Sequence, residues 1–129
     1  MPGGKAQPQV SVIIPHSGGE KILQECLKSL QNSNYTQLEI IVVDNNSTDD
    51  SVKIMKDRFP YVKLIQSEYN RGFAGGCNFG VQHAIGEYLL ILNNDTIHKS
   101  GWIKHLVQLM KSDKKISSVQ PKIKNYKKR

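Results

Sequence analysis

The chain has 129 residues, 38% of them apolar and 22% charged, which is ordinary for one soluble globular domain with its own core. Its two cysteines lack the spacing of a metal site, and so low a number argues against a disulfide scaffold and fits a reducing compartment such as the cytoplasm. No apolar run approaches the ~20 residues that cross a bilayer, and residues 1–9 lack the hydrophobic stretch of a signal peptide.

The net charge of +7 is located at one end of the chain. Residues 111–129 hold eight basic groups and one acid, whereas residues 1–110 hold equal numbers of each sign. We predict a loose leader over residues 1–9, a domain over residues 10–120 and a basic tail over residues 121–129. We expect the tail to keep the chain soluble, with peripheral contact at the inner face of a membrane as the alternative. Its single aromatic residue gives no stacking pattern, so nucleic-acid binding is weakly supported.

Predicted strands and helices alternate along the chain. Apolar runs predict strands at residues 10–14, 39–43, 61–66 and 87–92, and a fifth at residues 117–120. Helical spacing predicts helices at residues 20–32 and 102–112, one from a Ser47 N-cap to about Arg58, and one that begins within residues 70–80 and ends near residue 85. Pro15 is expected to stop the first strand. Because the strands are apolar on both faces, this order indicates a mostly parallel sheet in a three-layer α/β/α sandwich.

Polar side chains follow three of the predicted strands. They are His16 and Ser17, then Asp44 and Asn45, then residues 93–95. Ligands of such sheets bind beyond the carboxyl ends of the strands. Three polar strand ends therefore predict a shared ligand crevice.

The two acids at these strand ends, Asp44 and Asp95, allow more than one interpretation. Mg²⁺ typically takes one or two carboxylates plus substrate phosphate oxygens, and Asp95 fits that role, with Asn93 as a carbonyl donor or neighbouring partner. The alternative for Asp95 is an N-cap or an Asx turn. Asp44 is suited to hydrogen-bond the edge of a base, and residues 44–47 are equally suited to a turn into a helix.

The glycine-rich segment 72-GFAGGCNFG-80 follows the third predicted strand. It either lets the backbone and a helix N-terminus approach a phosphate, or is a flexible loop that enters a helix. The chain contains neither a P-loop nor a Rossmann dinucleotide motif. No Ser/His/Asp or Cys/His arrangement stands out as a nucleophilic site.

Three segments together resemble a known family. VSVIIPH at 10–16, EIIVVDNNSTDDS at 39–51 and NRGFAGGCNFGVQHAIGEYLLILNNDT at 70–96 resemble the nucleotide-sugar-binding half of a family 2 glycosyltransferase of GT-A fold, in its rhamnosyltransferase-like branch. The resemblance implies a Rossmann-like (GT-A type) sheet, truncated here after about five strands. It also implies a UDP-, dTDP- or GDP-sugar donor, Mg²⁺ or Mn²⁺, and a glycan or lipid-linked acceptor.

The resemblance assigns roles residue by residue. Asp95 matches the metal-binding acid of the DxD motif, and Asn93 matches the first position of that motif. Asp44 and Asn45 match the pair that contacts the base and the ribose. The other donor-site positions are Pro15, His16, Ser17, Asn70, Gly72, Phe73, Gly76, Asn78 and Asn94.

Three departures from the family limit what the resemblance implies. Ser17 stands where relatives often have an aromatic residue near the base, and Cys77 stands where they often have a basic one. No general base is identified, because Asp113 is the only acid after Asp95. The acceptor half is thus expected to be missing from this chain, and its absence would leave a sheet edge open to self-association as a homo-oligomer. The alternatives are a non-catalytic nucleotide-binding or interaction module of the same fold, and an unrelated phosphoryl-transfer domain that uses Asp44 and Asp95.

Overall fold

The computed structural model describes residues 9–33, 35–95 and 101–112. Four strands alternate with four helices along these residues. They are β1 (Val10–His16), α1 (Glu20–Gln31), β2 (Leu38–Asn45), α2 (Ser51–Arg58), β3 (Lys63–Ser67), α3 (Gly72–Val81), β4 (Tyr88–Ile91) and α4 (Trp102–Ser112). None of these helices is long and apolar enough to cross a membrane. The predicted fifth strand and the basic tail lie outside the described residues.

The described strands form one parallel sheet in the order β3-β2-β1-β4. The two central strands are buried because helices cover both faces of the sheet. The main core lies between the sheet and α1, α2 and α4, and a smaller core lies between the sheet and α3. The predicted α/β class with a parallel Rossmann-like sheet is therefore confirmed.

Helix α3 lies unusually close to the sheet. A Cβ atom at Gly80 would lie 2.7 Å from Cγ2 of Ile13 and 2.9 Å from Cγ2 of Val43. Both of those side chains are fully buried in the core that faces α3. The glycine is therefore required for this approach, which sets the start of α3 beside the carboxyl ends of β1 and β2.

The prediction that Pro15 stops the first strand is wrong. β1 continues to His16, with Pro15 opposite Val43 of β2. The carbonyl of Ile13 accepts a hydrogen bond from the N–H of Leu92 on the β4 side, and Pro15 faces the same side because backbone direction alternates along a strand. β4 ends at Ile91, so no residue of β4 lies opposite Pro15. The lack of an N–H on proline therefore costs no hydrogen bond of the sheet.

The second helix begins later than predicted. Ser47 is not its N-cap, because the carboxylate of Asp44 accepts hydrogen bonds from both the Ser47 N–H, at 3.1 Å, and the Ser47 hydroxyl. Asn46, with a φ of 61°, turns the chain at this point. Helix α2 starts at Ser51, whose N–H donates to Asp49 at 3.0 Å.

A polar cluster ties the strands together at the amino end of the sheet. One carboxylate oxygen of Glu39 accepts from the Ser11 hydroxyl at 2.6 Å and from the Ile85 N–H at 3.0 Å, and the other pairs with Lys63 at 3.0 Å. The Ser11 oxygen also accepts from the Gly86 N–H at 2.8 Å. Burial raises the pKa of Glu39, but these hydrogen bonds and the lysine outweigh it and leave the pKa lowered. The cluster therefore favours the ionised carboxylate.

Candidate functional site

A cavity of about 400 Å³ opens at the carboxyl ends of β1, β2 and β4, beside the start of α3. Among the described residues its lining is Pro15, His16, Ser17, Asn45, Asn70, Gly72, Phe73, Asn93, Asn94 and Asp95. All ten belong to the set that the sequence analysis singled out. The parallel sheet brings them together because each follows or ends a strand, or begins α3. Their individual roles stay predictions.

Three predicted site residues do not line the cavity. Asp44 is only 4% exposed, and its carboxylate accepts hydrogen bonds from the N–H and the hydroxyl of Ser47. Gly76 is buried below the cavity floor, where a Cβ would lie 2.9 Å from the Asn45 amide nitrogen and 3.3 Å from Cβ of Pro15. Asn78 lies exposed on α3, one turn past the cavity. A contact of any of these three with a ligand is therefore indirect or requires movement.

Asn45 connects the end of β2 to the start of α3. Its amide nitrogen donates to the carbonyl of Gly72 at 3.3 Å, and its amide oxygen accepts from the N–H of Arg71 at 3.3 Å. The side chain is 4% exposed, so these contacts replace hydrogen bonds to water. Asn45 thus fixes the glycine-rich loop against the sheet as well as lining the cavity.

His16 lies between the end of β4 and the start of α2. The imidazole is 2% exposed, with Nδ1 2.9 Å from the Asn94 amide nitrogen and Nε2 2.8 Å from the Ser51 hydroxyl. That hydroxyl also contacts Asp49, whose second oxygen accepts from the Gly19 N–H at 3.0 Å. Gly19 precedes α1 with a φ of 91°, a conformation that residues other than glycine rarely adopt. The chain of contacts joins three loops at this edge of the sheet.

Burial lowers the pKa of His16 below its ordinary value of 6.5, and the negative charges of Asp44 and Asp49 offset only part of this effect. The pKa of Asp49 is lowered as well, first because the Ser51 hydroxyl donates to its carboxylate. The folded state therefore favours a neutral His16 beside an ionised Asp49. A neutral imidazole has one donor nitrogen and one acceptor nitrogen, which suits its two neighbours.

These pKa shifts predict a pH dependence of stability. Below about pH 6.5 the unfolded chain binds a proton at His16 that the folded chain resists, so the free energy of unfolding falls as the pH falls through this range. The slope from one group is at most about 1.4 kcal/mol per pH unit. We expect urea unfolding between about pH 7.5 and about pH 5.5 to show this slope in the wild type and to lose it in His16→Gln. The exposed-site variant His83→Gln should keep it, and an unchanged slope in His16→Gln would contradict the assignment.

Asp95 is the one carboxylate among the described residues that line the cavity. It is accompanied by the amide side chains of Asn93 and Asn94, which offer further oxygen atoms. Within residues 9–33, 35–95 and 101–112 there is no cluster of three His, Cys, Asp or Glu side chains that could hold a metal ion alone. One carboxylate with neutral oxygen donors fits a cation such as Mg²⁺, which keeps several waters and binds substrate phosphates.

Phe73 gives the cavity an aromatic surface. Its side chain is 56% exposed at the start of α3, and it lines the same cavity as Ser17. The family resemblance assigns Phe73 to the donor-site loop, and Ser17 stands where relatives often have an aromatic residue. Both residues line the cavity, so Phe73 can offer a flat apolar face in the site even though Ser17 has no aromatic ring.

Two residues of this region, Asp49 and Ser51, were not predicted from the sequence. Both lie within the helix predicted to run from a Ser47 N-cap to about Arg58, and only Asp49 was assigned a place there, in the first turn. A signal was present, because His16 at a strand end needs buried hydrogen-bond partners once the strand is buried. Which polar residues supply them depends on where α2 begins, and the sequence pattern misplaced that start.

Comparisons with known proteins agree with this fold. Residues 11–129 match the family described as glycosyl transferase family 2, so the chain belongs to that family. It is 35% identical over 107 residues to a GalNAc(5)-diNAcBac-PP-undecaprenol beta-1,3-glucosyltransferase of Campylobacter jejuni, an alignment that covers 78% of this chain and 34% of that protein. The chain thus spans about a third of the length of this relative.

Two solved structures are similar to the described domain. One is TarS 1–349 of S. aureus in complex with UDP, with a TM-score of 0.73 and 28% identity over 81% of this chain and 32% of that one. The other is the mannosyltransferase PcManGT of Pyrobaculum calidifontis in complex with GDP-Man and Mn²⁺, with a TM-score of 0.73 and 26% identity over 81% of this chain and 33% of that one. The GT-A type of the sheet and the predicted family are therefore confirmed.

Proposed function

We propose that this domain binds a nucleoside-diphosphate sugar together with Mg²⁺ or Mn²⁺, for transfer of the sugar to a glycan or lipid-linked acceptor. The observation that carries the proposal is the cavity at the carboxyl ends of β1, β2 and β4, where Asp95 and two asparagines lie beside the start of α3. The solved relatives support it, because one is a complex with UDP and another is a complex with GDP-Man and Mn²⁺. The undecaprenol-linked substrate in the name of the C. jejuni relative supports a lipid-linked acceptor.

The charge of the lining supports a role for a cation. No lysine or arginine is among the described residues that line the cavity. The guanidinium of Arg71 instead stacks 4.1 Å from the ring centroid of Phe79 and donates to Ser67. A diphosphate in this cavity therefore needs a bound cation for most of its neutralisation. We assign Asp95 as the carboxylate ligand of that cation, with Asn93 as a further oxygen donor.

The chemistry of transfer follows from the same arrangement. A divalent cation held there would stabilise the negative charge that develops on the departing nucleoside diphosphate. The acceptor hydroxyl also has to lose a proton to a general base. Asp95 cannot serve as both cation ligand and base, and the described part of the lining has no second carboxylate. We therefore propose that the base lies outside this set and that residues 9–95 hold the donor only.

Phe73 is proposed to stack on the base of the nucleotide. Phe73→Ala should weaken UDP binding by about tenfold, since base–aromatic stacking contributes roughly 1–3 kcal/mol. Phe73→Leu, which keeps an apolar side chain without the π face, should fall in between. Calorimetric titration measures both, with Tyr61→Ala as the control because Tyr61 is a similarly exposed aromatic residue outside the cavity lining. Equal affinities of Phe73→Ala and the wild type would exclude the stacking role.

The proposed function is tested by titrating the protein with UDP, GDP and dTDP, each with Mn²⁺, with Mg²⁺ and with EDTA. We expect one of the nucleotides to bind, and to bind more tightly with either cation than with EDTA. Adenosine diphosphate serves as a control for unspecific diphosphate binding. If none of the three binds under any condition, the donor-site proposal is wrong for this chain.

A second candidate function is a nucleotide-binding module without transferase activity. The observation that favours it is the single carboxylate among the described residues of the lining. A donor-hydrolysis assay with the nucleotide sugar that binds best separates the two candidates. Slow release of nucleoside diphosphate that requires Mn²⁺ supports a transferase site. Tight binding without any release supports the module.

A further inference from the structure

With the Asn94 amide nitrogen facing the imidazole, the hydrogen bonds around His16 have one consistent set of directions. The Asn94 amide nitrogen can only donate, so Nδ1 of His16 is the acceptor at 2.9 Å. The imidazole proton then lies on Nε2, which donates to the Ser51 hydroxyl at 2.8 Å. The Ser51 hydroxyl proton in turn goes to the carboxylate of Asp49.

This chain of hydrogen bonds is anchored at its far end. Asp49 accepts backbone N–H groups of Ser51 and Gly19, each at 3.0 Å, at the starts of α2 and α1. His16 itself belongs to β1, in parallel register opposite Asp44 of β2. Asn94, by contrast, lies past the end of β4, where no ladder partner fixes it. The imidazole of His16 thus connects the amide of Asn94 to β1 and to the starts of α1 and α2.

We propose that His16 is a positioning residue for the strand end that holds the cation. This inference rests on the proposed function of the cavity. By accepting a hydrogen bond at Nδ1, His16 fixes the rotation of the Asn94 amide, and Asn94 lies between Asn93 and Asp95 in the chain. Ser51 and Asp49 select the imidazole tautomer that has its acceptor on this side. The ordering of this strand end before the cation arrives lowers the entropic cost of binding.

Two substitutions at position 16 separate the two nitrogens of the imidazole. In His16→Asn, the side-chain oxygen lies about where Nδ1 lies and keeps an acceptor for Asn94. In His16→Gln, the longer amide reaches toward Ser51 and leaves no acceptor for Asn94. We expect His16→Gln to bind UDP with Mn²⁺ about tenfold more weakly than the wild type, and His16→Asn to stay within about threefold, as one hydrogen bond predicts.

The dependence on Mn²⁺ distinguishes positioning from a merely structural role. The ratio of the UDP affinity in Mn²⁺ to that in EDTA is expected to fall about tenfold in His16→Gln and to stay within about threefold of the wild-type ratio in His16→Asn, because without a cation the strand end has none to hold. A structural role for His16 would weaken binding equally with and without Mn²⁺. Thermal unfolding of each variant checks that it is folded. Should His16→Gln fail to fold, Ser51→Ala replaces it, with an expected loss of about threefold in Mn²⁺, because the imidazole then loses the partner that selects its tautomer.

A spectroscopic measurement tests the tautomer without nucleotide. The ¹⁵N shifts of His16 in the free protein should be those of a neutral ring with its proton on Nε2, and a proton on Nδ1 would overturn the proposal. Equal affinities of His16→Gln and the wild type in Mn²⁺ would overturn the positioning role alone. If the wild type binds none of UDP, GDP and dTDP, the proposed function falls and the positioning role falls with it.

Discussion

Asp95→Asn is expected to remove the Mn²⁺-dependent part of nucleotide binding. Its UDP affinity in Mn²⁺ should fall by at least about 100-fold, since loss of a partner that only supports a metal ligand already costs 10- to 100-fold. The affinity should then equal that of the wild type in EDTA. Calorimetric titration in Mn²⁺ and in EDTA measures both values. The physical reason is that the described lining holds no other carboxylate to ligate the cation.

Two matched variants show whether the effect is specific to this position. Asp57→Asn removes the same charge from an exposed site on α2 and should leave UDP binding unchanged. Asp44→Asn alters a buried carboxylate that holds Ser47 rather than the cavity, so it should change stability more than the dependence on Mn²⁺. Unaltered Mn²⁺ dependence in Asp95→Asn would contradict the assignment and show that the cation has another ligand.

The arrangement of the fold was predictable because its signals are local. The β-branched runs of the two central strands, β1 and β2, are buried on both faces. The polar residues that end or follow β1, β2 and β4 are brought to one edge of the sheet by parallel packing. For that reason the lining of the cavity, from Pro15 to Asp95, lies wholly within the predicted set. The errors at Pro15 and Ser47 came from the same local rules. Proline does not stop a strand whose neighbour has already ended, and a serine does not cap a helix when Asp44 takes its N–H and hydroxyl.

The interior of the site was less predictable because its contacts join distant segments. The pair His16 and Ser51 is separated by 35 positions, and the pair His16 and Asn94 by 78. Hydrogen-bond direction and tautomer depend on three loops at once, so no single motif encodes them. The position of Asp44 away from the cavity follows from alternation along β2, which places it on the face opposite Asn45. These features could be predicted only once the register of the sheet was known.

Gly86→Ala is expected to cause the largest loss of stability of the changes considered. A Cβ atom at this position would lie 2.5 Å from the Ser11 hydroxyl, 2.6 Å from the Ser11 backbone nitrogen and 3.0 Å from the Val10 carbonyl carbon. Two of these atoms are backbone atoms of a central strand, so relief requires β1 to shift. We expect the free energy of unfolding to fall by roughly 2–4 kcal/mol, from overpacking and from loss of the partly buried Gly86–Ser11 hydrogen bond. Urea denaturation measures the change.

The same variant separates stability from ligand binding. The clash lies at the amino end of the sheet, in the cluster around Glu39, whereas the cavity lies at the carboxyl end. Folded Gly86→Ala protein should thus bind UDP with unchanged affinity. Gly76→Ala should instead weaken UDP binding and change stability little. Its Cβ would lie 2.9 Å from the Asn45 amide nitrogen, below the cavity, and would push on that side chain. Alanine favours the helix over glycine by about 1 kcal/mol, which offsets part of the strain. Ser11→Gly removes the hydroxyl contact, together with the hydrogen bond to Glu39, but keeps the two backbone contacts. If Gly86→Ala costs no stability when it is added to Ser11→Gly, the backbone contacts are not limiting.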